Sequence, residues 1–358
     1  LELESGTYEV TQQLEIPERC NVNSNGAMLL LSAPLNFSKT ARFKGKLSVK
    51  GLGSLEGPCF FFLKDAFIQS SAEIRFADCH NVAKDGDDAK GGAIHVRGDL
   101  TVTGNLNIHN SSARLGGGIF VEHSFKHLGG KIEVSNSSAA EHGGGIFVQD
   151  NFNTTGGKIE VSNSSAGKIG GGICVKQSFT NAGGEIQISG SSAKKHGGGI
   201  FVQVNFKHLG GNIKISTSSA KESGGGIYVK QSFTNADGEI QVSGSSAKKS
   251  GGGICVKQSF TNAGGEIQIS GSSAKKHGGG IFVQVNFKHL GGNIKISTSS
   301  AKESGGGIYV FVNFANSGGK IDIAGSSAQK NGGGICVNNS FANSGGKIDI
   351  AGSSAQKN

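Results

Sequence analysis

The chain has 358 residues, with 61 glycines, 3 prolines, one methionine and no tryptophan, and its 35 Lys and Arg outnumber 26 Asp and Glu for a net charge of +9. Glycine at this density suits disordered or fibrous chains, yet 35% of residues are hydrophobic and recur at fixed offsets, which disordered sequence does not do. The lysines are dealt out one to three per repeat with no run of five or six, which reads as a solvated surface and not as a nucleic-acid footprint.

Residues 1–90 have no fixed period but show the grammar of strands. Thr7-Tyr8-Glu9-Val10, Leu14-Glu15-Ile16 and Leu47-Ser48-Val49 alternate, with glycines at Gly45, Gly51, Gly53 and Gly57 between such stretches. They are predicted to be irregular opening coils that cover the end of a core, with a separate small domain as the alternative. Cys20, Cys59 and Cys79 leave room for one disulfide, and spacing does not say which pair forms it. Asp85, Asp87 and Asp88 make the densest acidic cluster, in KDGDDAKGG. Calcium takes oxygen ligands of this type, but the twelve-residue loop with its closing glutamate is missing, so a solvated loop is expected. No apolar run approaches the roughly 18 residues of a membrane span.

From Gly91 a repeat takes over, and residues 91–358 are predicted as one regular region. Gly91-Gly92-Ala93-Ile94 opens a variant copy. Nine copies of a 27-residue unit follow, each opening on three glycines and an isoleucine: Ile119, Ile146, Ile173, Ile200, Ile227, Ile254, Ile281, Ile308 and Ile335. Counted from that isoleucine, offsets 0, 2, 13 and 15 are aliphatic, and offset 6 is phenylalanine from Phe125 to Phe341. Spacing of two marks strands with one buried face, and helix periodicity is absent. Two glycines, or Asp237-Gly238 in one copy, let the chain turn between strands, and Ser-Ser-Ala marks the next corner.

Strands this short cannot stand alone, so each unit must pair with its neighbours. The predicted fold is all-β: a right-handed, single-stranded parallel β-helix with about 27 residues per coil, a solenoid in which equivalent residues stack about 4.8 Å apart. That spacing suits a column of stacked phenylalanine rings. An up-and-down array of hairpins, including a membrane barrel, is the rival. A membrane strand needs about 9–11 residues, longer than the second strand read here, and neither form explains a repeat length that never drifts. A start at Leu1 and a stop just before the next glycine triplet lead to the expectation of a fragment that continues further.

Offset 1 holds Phe120, Phe147, Cys174, Phe201, Tyr228, Cys255, Phe282, Tyr309 and Cys336. If offsets 0 and 2 face inward, Phe120, Phe147, Phe201, Tyr228, Phe282 and Tyr309 form an outward aromatic stripe, a candidate partner surface. The competing reading is that the column sits at a corner or under another part of the chain. The three cysteines lie three coils apart, too far for a disulfide, and are expected to be unpaired. No catalytic residue, metal site or cofactor is predicted. His196/His277 and His208/His289 are duplicated pairs with no nucleophile beside them, and neither G-x-S-x-G nor Cys-x-x-Cys occurs. Asn36, Asn110, Asn136, Asn153, Asn163 and Asn338 begin N-x-S/T sequons, which a Ser-rich repeat generates by chance.

Residues 170–229 and 251–310 are identical. A catalytic site is normally unique, whereas a duplicated surface favours multivalent binding, so the leading expectation is a non-enzymatic adhesin or binding scaffold. One alternative is a pectin-lyase-like polysaccharide lyase or hydrolase, for which Asp85–Asp88 with Arg97 is the one candidate site, since the outward slots mix residues such as Lys131, Glu133, Asn212 and Lys214. Another is an ice-binding solenoid, which wants a threonine column that Thr217 and Thr298 are too sparse to form.

The stretch SNSSAAEHGGGI at Ser135–Ile146, with GGAI at Gly91–Ile94, resembles the repeats of chlamydial polymorphic membrane proteins, which combine GGA[ILV] with FxxN. Nine of ten units here read GGGI, and Val134-Ser135-Asn136-Ser137 stands where the family has FxxN. The resemblance covers about residues 91–358. It implies a β-helix of the autotransporter-passenger kind, acting as an adhesin at the cell surface or outside the cell. Its partner would be a host or neighbouring-cell surface protein or a glycan. The family's C-terminal membrane barrel has no counterpart in these residues.

Overall fold

An apolar face five residues long can be buried only against another copy of itself, and the backbone arranges this by winding. In the computed structural model, which describes residues 1–356, the paired strands run parallel and join each residue to its equivalent one coil on, as Ile119 to Ile146 and Phe125 to Phe152. There is no helix among the described residues. The last two positions of the expected 91–358 region, Lys357 and Asn358, lie outside the described residues. The chain divides into two compact units, Leu1–Lys176 and Gln177–Asn358.

In the first unit three parallel sheets share the work. One runs through Leu14, Leu35, Phe60, Ile94, Ile119, Ile146 and Ile173. A second carries the longer strands, with Leu47 beside Ile74, then Leu106, Ile132 and Ile159. The third is a narrow ribbon with one to three paired residues per coil, through Ser54, His80, Ser112, Ser138 and Ser165. Residues 1–90 belong to these same sheets. Their interior is filled by Phe37, Phe43, Phe60, Phe62 and Phe76, packed partly edge-on.

The second unit repeats the plan with more regularity. Phe179 pairs with Phe206, Phe206 with Phe233, and Phe233 with Phe260. Their ring centroids are 4.8–5.0 Å apart and their planes lie within 11° of one another. Each such stack is worth roughly 0.5–1.5 kcal/mol beyond the burial itself. Offsets 0, 2, 13 and 15 face the same interior, with Ile227, Val229, Ile240 and Val242 all buried.

The glycine triplet is needed for reasons that differ position by position. The first glycine adopts a left-handed backbone, with φ 66° at Gly143. At the second, coils touch backbone to backbone: a Cβ on Gly144 would fall 2.2 Å from the Gly171 carbonyl oxygen. At the third, a Cβ on Gly145 would press on the Val161 side chain and the Gly172 carbonyl at 2.9 Å. The third place is the least confined, and it is where the variant copy carries Ala93.

A left-handed corner precedes each Ser-Ser-Ala. It is held by Asn110, Asn136 and Asn163 in the first unit and by Gly190, Gly244, Gly271 and Gly325 in the second, with φ between 49° and 59°. Thr217 and Thr298 occupy the same corner at φ 49° and 48°. A β-branched residue is strained there, by roughly 1–2 kcal/mol.

Two outcomes follow for unfolding in denaturant. Gly144→Ala should destabilise its unit by about 3 kcal/mol and Gly145→Ala by only about 1 kcal/mol. Thr217→Asn, which leaves the exposed corner otherwise untouched, should raise stability by about 1 kcal/mol.

Candidate functional site

Strand alternation aims offset 1 away from the coil interior, and the parallel register gathers the aromatic residues found there. Phe120 stacks on Phe147, Phe201 on Tyr228 and Phe282 on Tyr309, with centroids 4.9, 5.3 and 5.5 Å apart and planes within 6°. The column is covered, however. These six side chains are between 1% and 7% exposed. The polar segment leading into each triplet folds across them, so that His196 stacks on Tyr228 at 4.4 Å and His277 on Tyr309 at 4.5 Å. Ammonium groups complete the lid: Lys90, Lys176 and Lys257 stand over Phe120, Phe147 and Phe282 at 5.1, 6.0 and 5.4 Å. The binding role expected of this stripe required a solvent-facing surface. The structure puts a second buried column there instead. Cys174 and Cys255 share it, and burial pushes their thiols up to about 12, which keeps them protonated and unreactive at neutral pH.

In the first unit the same column runs through Phe61, His95 and Phe120 in register, and here charged groups converge. Lys90 Nζ donates to Asp87 Oδ1 at 2.7 Å and to Glu122 Oε1 at 3.0 Å. His95 Nε2 lies 3.2 Å from the same Glu122 oxygen, and Arg97 pairs with Asp87. The Lys90 and Arg97 hydrogen bonds hold the Asp87 carboxyl down at about 2. The His95 and Lys90 hydrogen bonds hold Glu122 below the usual carboxylate range. Burial pushes His95 down in spite of Glu122, leaving it a neutral ring. Asp85 pairs with Arg114 at 3.0 Å, and Arg114 also reaches Glu141 at 3.1 Å. Of the acidic loop singled out in the sequence, Asp85 and Asp87 are thus spent on basic partners, while Asp88 lends its carbonyl to Asn81. Of the three N-terminal cysteines, Cys59 and Cys79 form the disulfide, with Cα atoms 5.9 Å apart, and Cys20 remains free.

Inside the coils lies a polar column that the repeat reading passed over. Offset 8, two residues beyond the buried phenylalanine, holds His127 and Thr154 in the first unit and Asn181, His208, Asn235, Asn262, His289 and Asn316 in the second, all buried. Asn235 Nδ2 donates to Asn262 Oδ1 at 2.9 Å, and Asn262 Nδ2 donates to the carbonyls of Gly265 and Gly291 at 2.9 and 3.0 Å. Asn181 closes on Gly184 from both sides, accepting from its N–H at 2.8 Å and donating to its carbonyl at 2.9 Å. These asparagines thus add hydrogen bonds to the backbone of the two-glycine corner, whose carbonyls also accept from the next coil, as Gly265 does from the Asn293 N–H at 3.2 Å. The signal was present in the sequence: a polar residue in every copy at an inward position of a strand.

No family profile matches this chain, and comparison with characterised proteins and with solved structures finds no match either. Its own geometry defines the class. The chain is a parallel β-solenoid of tandem coils.

Burial drives His127 and His208 down to about 4, and His289 is lowered too. Unfolded histidines titrate near 6.5, so between about 4 and 6.5 the unfolded chain binds more protons than the folded one. Stability from these groups is fully present above that window and is lost as pH falls through it, with a slope of up to about 1.4 kcal/mol per pH unit for each histidine. His208→Asn, which places in that coil the residue used at Asn181 and Asn235, should remove one histidine's share of the slope in denaturant unfolding measured from pH 7 to pH 4.

Proposed function

We propose that this chain is a non-enzymatic β-solenoid displayed at a cell surface or outside the cell. It acts as an adhesin or binding scaffold, of a kind with the chlamydial polymorphic membrane protein repeats that its sequence resembles. The observation that carries the proposal is register-locked duplication. Outward side chains line up as columns, Glu239 beside Glu266 and Gln241 beside Gln268, and the identical stretches 170–229 and 251–310 bring the whole surface back three coils on. A partner that engages one set of coils therefore meets the same contacts again three coils on, and weak contacts add as avidity.

Two further features support this reading. The Cys59–Cys79 bridge is of a kind that persists in oxidising compartments. The carboxylates best placed for lyase chemistry, Asp85 and Asp87, are tied to Arg114, Lys90 and Arg97. The partner would be a surface protein or a glycan of a host or neighbouring cell.

Deletion of one coil, residues 251–277, should preserve the stack and weaken adherence of protein-coated beads to cultured cells only gradually. Complete loss of adherence on removing that one coil would contradict a repeated surface. Turnover of polygalacturonate by the purified chain would overturn the non-enzymatic reading.

A further inference from the structure

The whole excess of positive charge sits in one unit. Residues 1–176 hold 17 Lys and Arg against 18 Asp and Glu, whereas residues 177–358 hold 18 lysines, no arginine and 8 acidic residues. In that second unit the residue following Ser-Ser-Ala is Lys194, Lys221, Lys248, Lys275 and Lys302 on five successive coils. The preceding alanines pair in parallel: Ala193 with Ala220, Ala220 with Ala247, Ala247 with Ala274, and Ala274 with Ala301. The lysine backbone follows the same register, Lys221 N–H donating to Ala193 at 3.0 Å and Lys275 N–H to Ala247 at 3.1 Å. These five side chains thus form a straight ladder with one ammonium group for each coil rise of about 4.8 Å. All five are exposed, and none makes an ion pair among the described residues.

The neighbouring column shows what compensation looks like. There Glu222 binds Lys249 at 2.9 Å and faces His196 at 3.7 Å, and Glu303 faces His277 at 3.4 Å. The ladder has no such acids. Nor does the fold ask for lysine at this corner, since the first unit places Arg114, Ala140 and Gly167 there. Like charges on adjacent strands are destabilising. A row of them that serves no packing role answers to something outside the chain.

We infer that this ladder binds an extended anionic polysaccharide, one whose carboxylate or sulfate groups recur along the polymer, lying parallel to the coil axis of the second unit. The inference rests on the scaffold reading above and names the partner's chemistry. A straight row of point charges can follow an extended sugar chain over its full length. A nucleic-acid duplex winds its phosphates away from such a line, and single strands are gripped by stacking on open aromatic platforms. The aromatic column here is covered.

The test uses the full 358-residue chain, with immobilised heparin as the sulfated uronate probe, dextran as the neutral control and poly(dT) as the rival polyanion. Binding to heparin should weaken as salt rises, and K194Q/K221Q/K248Q/K275Q/K302Q should lower affinity by about tenfold or more near 0.15 M salt. The set K207Q/K214Q/K288Q/K295Q/K347Q removes the same charge from other exposed positions and should change affinity by less than about threefold. Equal losses in the two sets, tighter binding to poly(dT) than to heparin, or no binding to heparin would each overturn the inference. A readout free of folding effects is acetylation footprinting of the unaltered chain. Bound heparin should protect the five ladder lysines more than Lys207 and Lys214, and equal protection overturns the inference. Bead adherence separates the two readings. If the ladder variant still adheres, the polysaccharide inference falls and the scaffold stands, whereas abolition of adherence by the single-coil deletion strikes the scaffold itself.

Discussion

Backbone contact at the second glycine of each triplet governs the rest of the molecule. With the Gly171 carbonyl placed where a Gly144 side chain would begin, adjacent coils approach as closely as strands in a sheet at a corner that is not itself a strand. That contact leaves no room for a slipped register. Once Gly144 is seated, Ile146 must lie beside Ile173 and Ile159 beside Ile132. A shift of one residue would turn every inward side chain outward. The constant repeat length is thus a steric requirement at one corner, transmitted around each coil by the strands.

Columns are the consequence, and their chemistry depends on which way they face. Inward, phenylalanine rings stack with almost parallel planes because the coil rise matches the thickness preferred by offset aromatic pairs. Also inward, Asn, His and Thr form a narrow polar seam that serves the two-glycine turn, so the interior is not uniformly greasy. Seam members differ in cost. An asparagine can donate and accept within the seam at any pH, whereas a buried histidine must stay neutral to remain there. Outward, a column can be compensated, as Glu222 compensates Lys249, or left bare, as in the lysine ladder. In a stacked fold a residue choice repeated on successive copies lines up as a column, which amplifies a surface property and multiplies any error.

Several sequence features take on their meaning only at these corners. Asn110, Asn136 and Asn163 look like glycosylation acceptors, yet each sits at a left-handed corner that glycine holds in the second unit, and asparagine is among the few side chains that tolerate it. The sequons arise from that backbone need followed by the two serines of the next corner. The covered aromatic column teaches the converse. Alternation correctly put Phe147 and Tyr228 on the outer side of their strands. It could not say that His142 and His196 would fold back over those rings, because that contact depends on the path of a loop.

The sequence by itself determined the coil: period, strand positions, parallel stacking and the inward phenylalanines are all consequences of local alternation and of glycine's conformational freedom. It also carried the polar seam at offset 8 for any reading that followed alternation one step past the phenylalanine. Tertiary structure decided what each column meets. It paired Cys59 with Cys79, closed the outer aromatic column, tied Asp87 to Lys90 and Arg97, and lined up five exposed lysines. The division has a physical cause. Periodicity is a property of the chain's own backbone, whereas burial, pairing and exposure depend on residues distant in sequence that only the wound coil brings within reach.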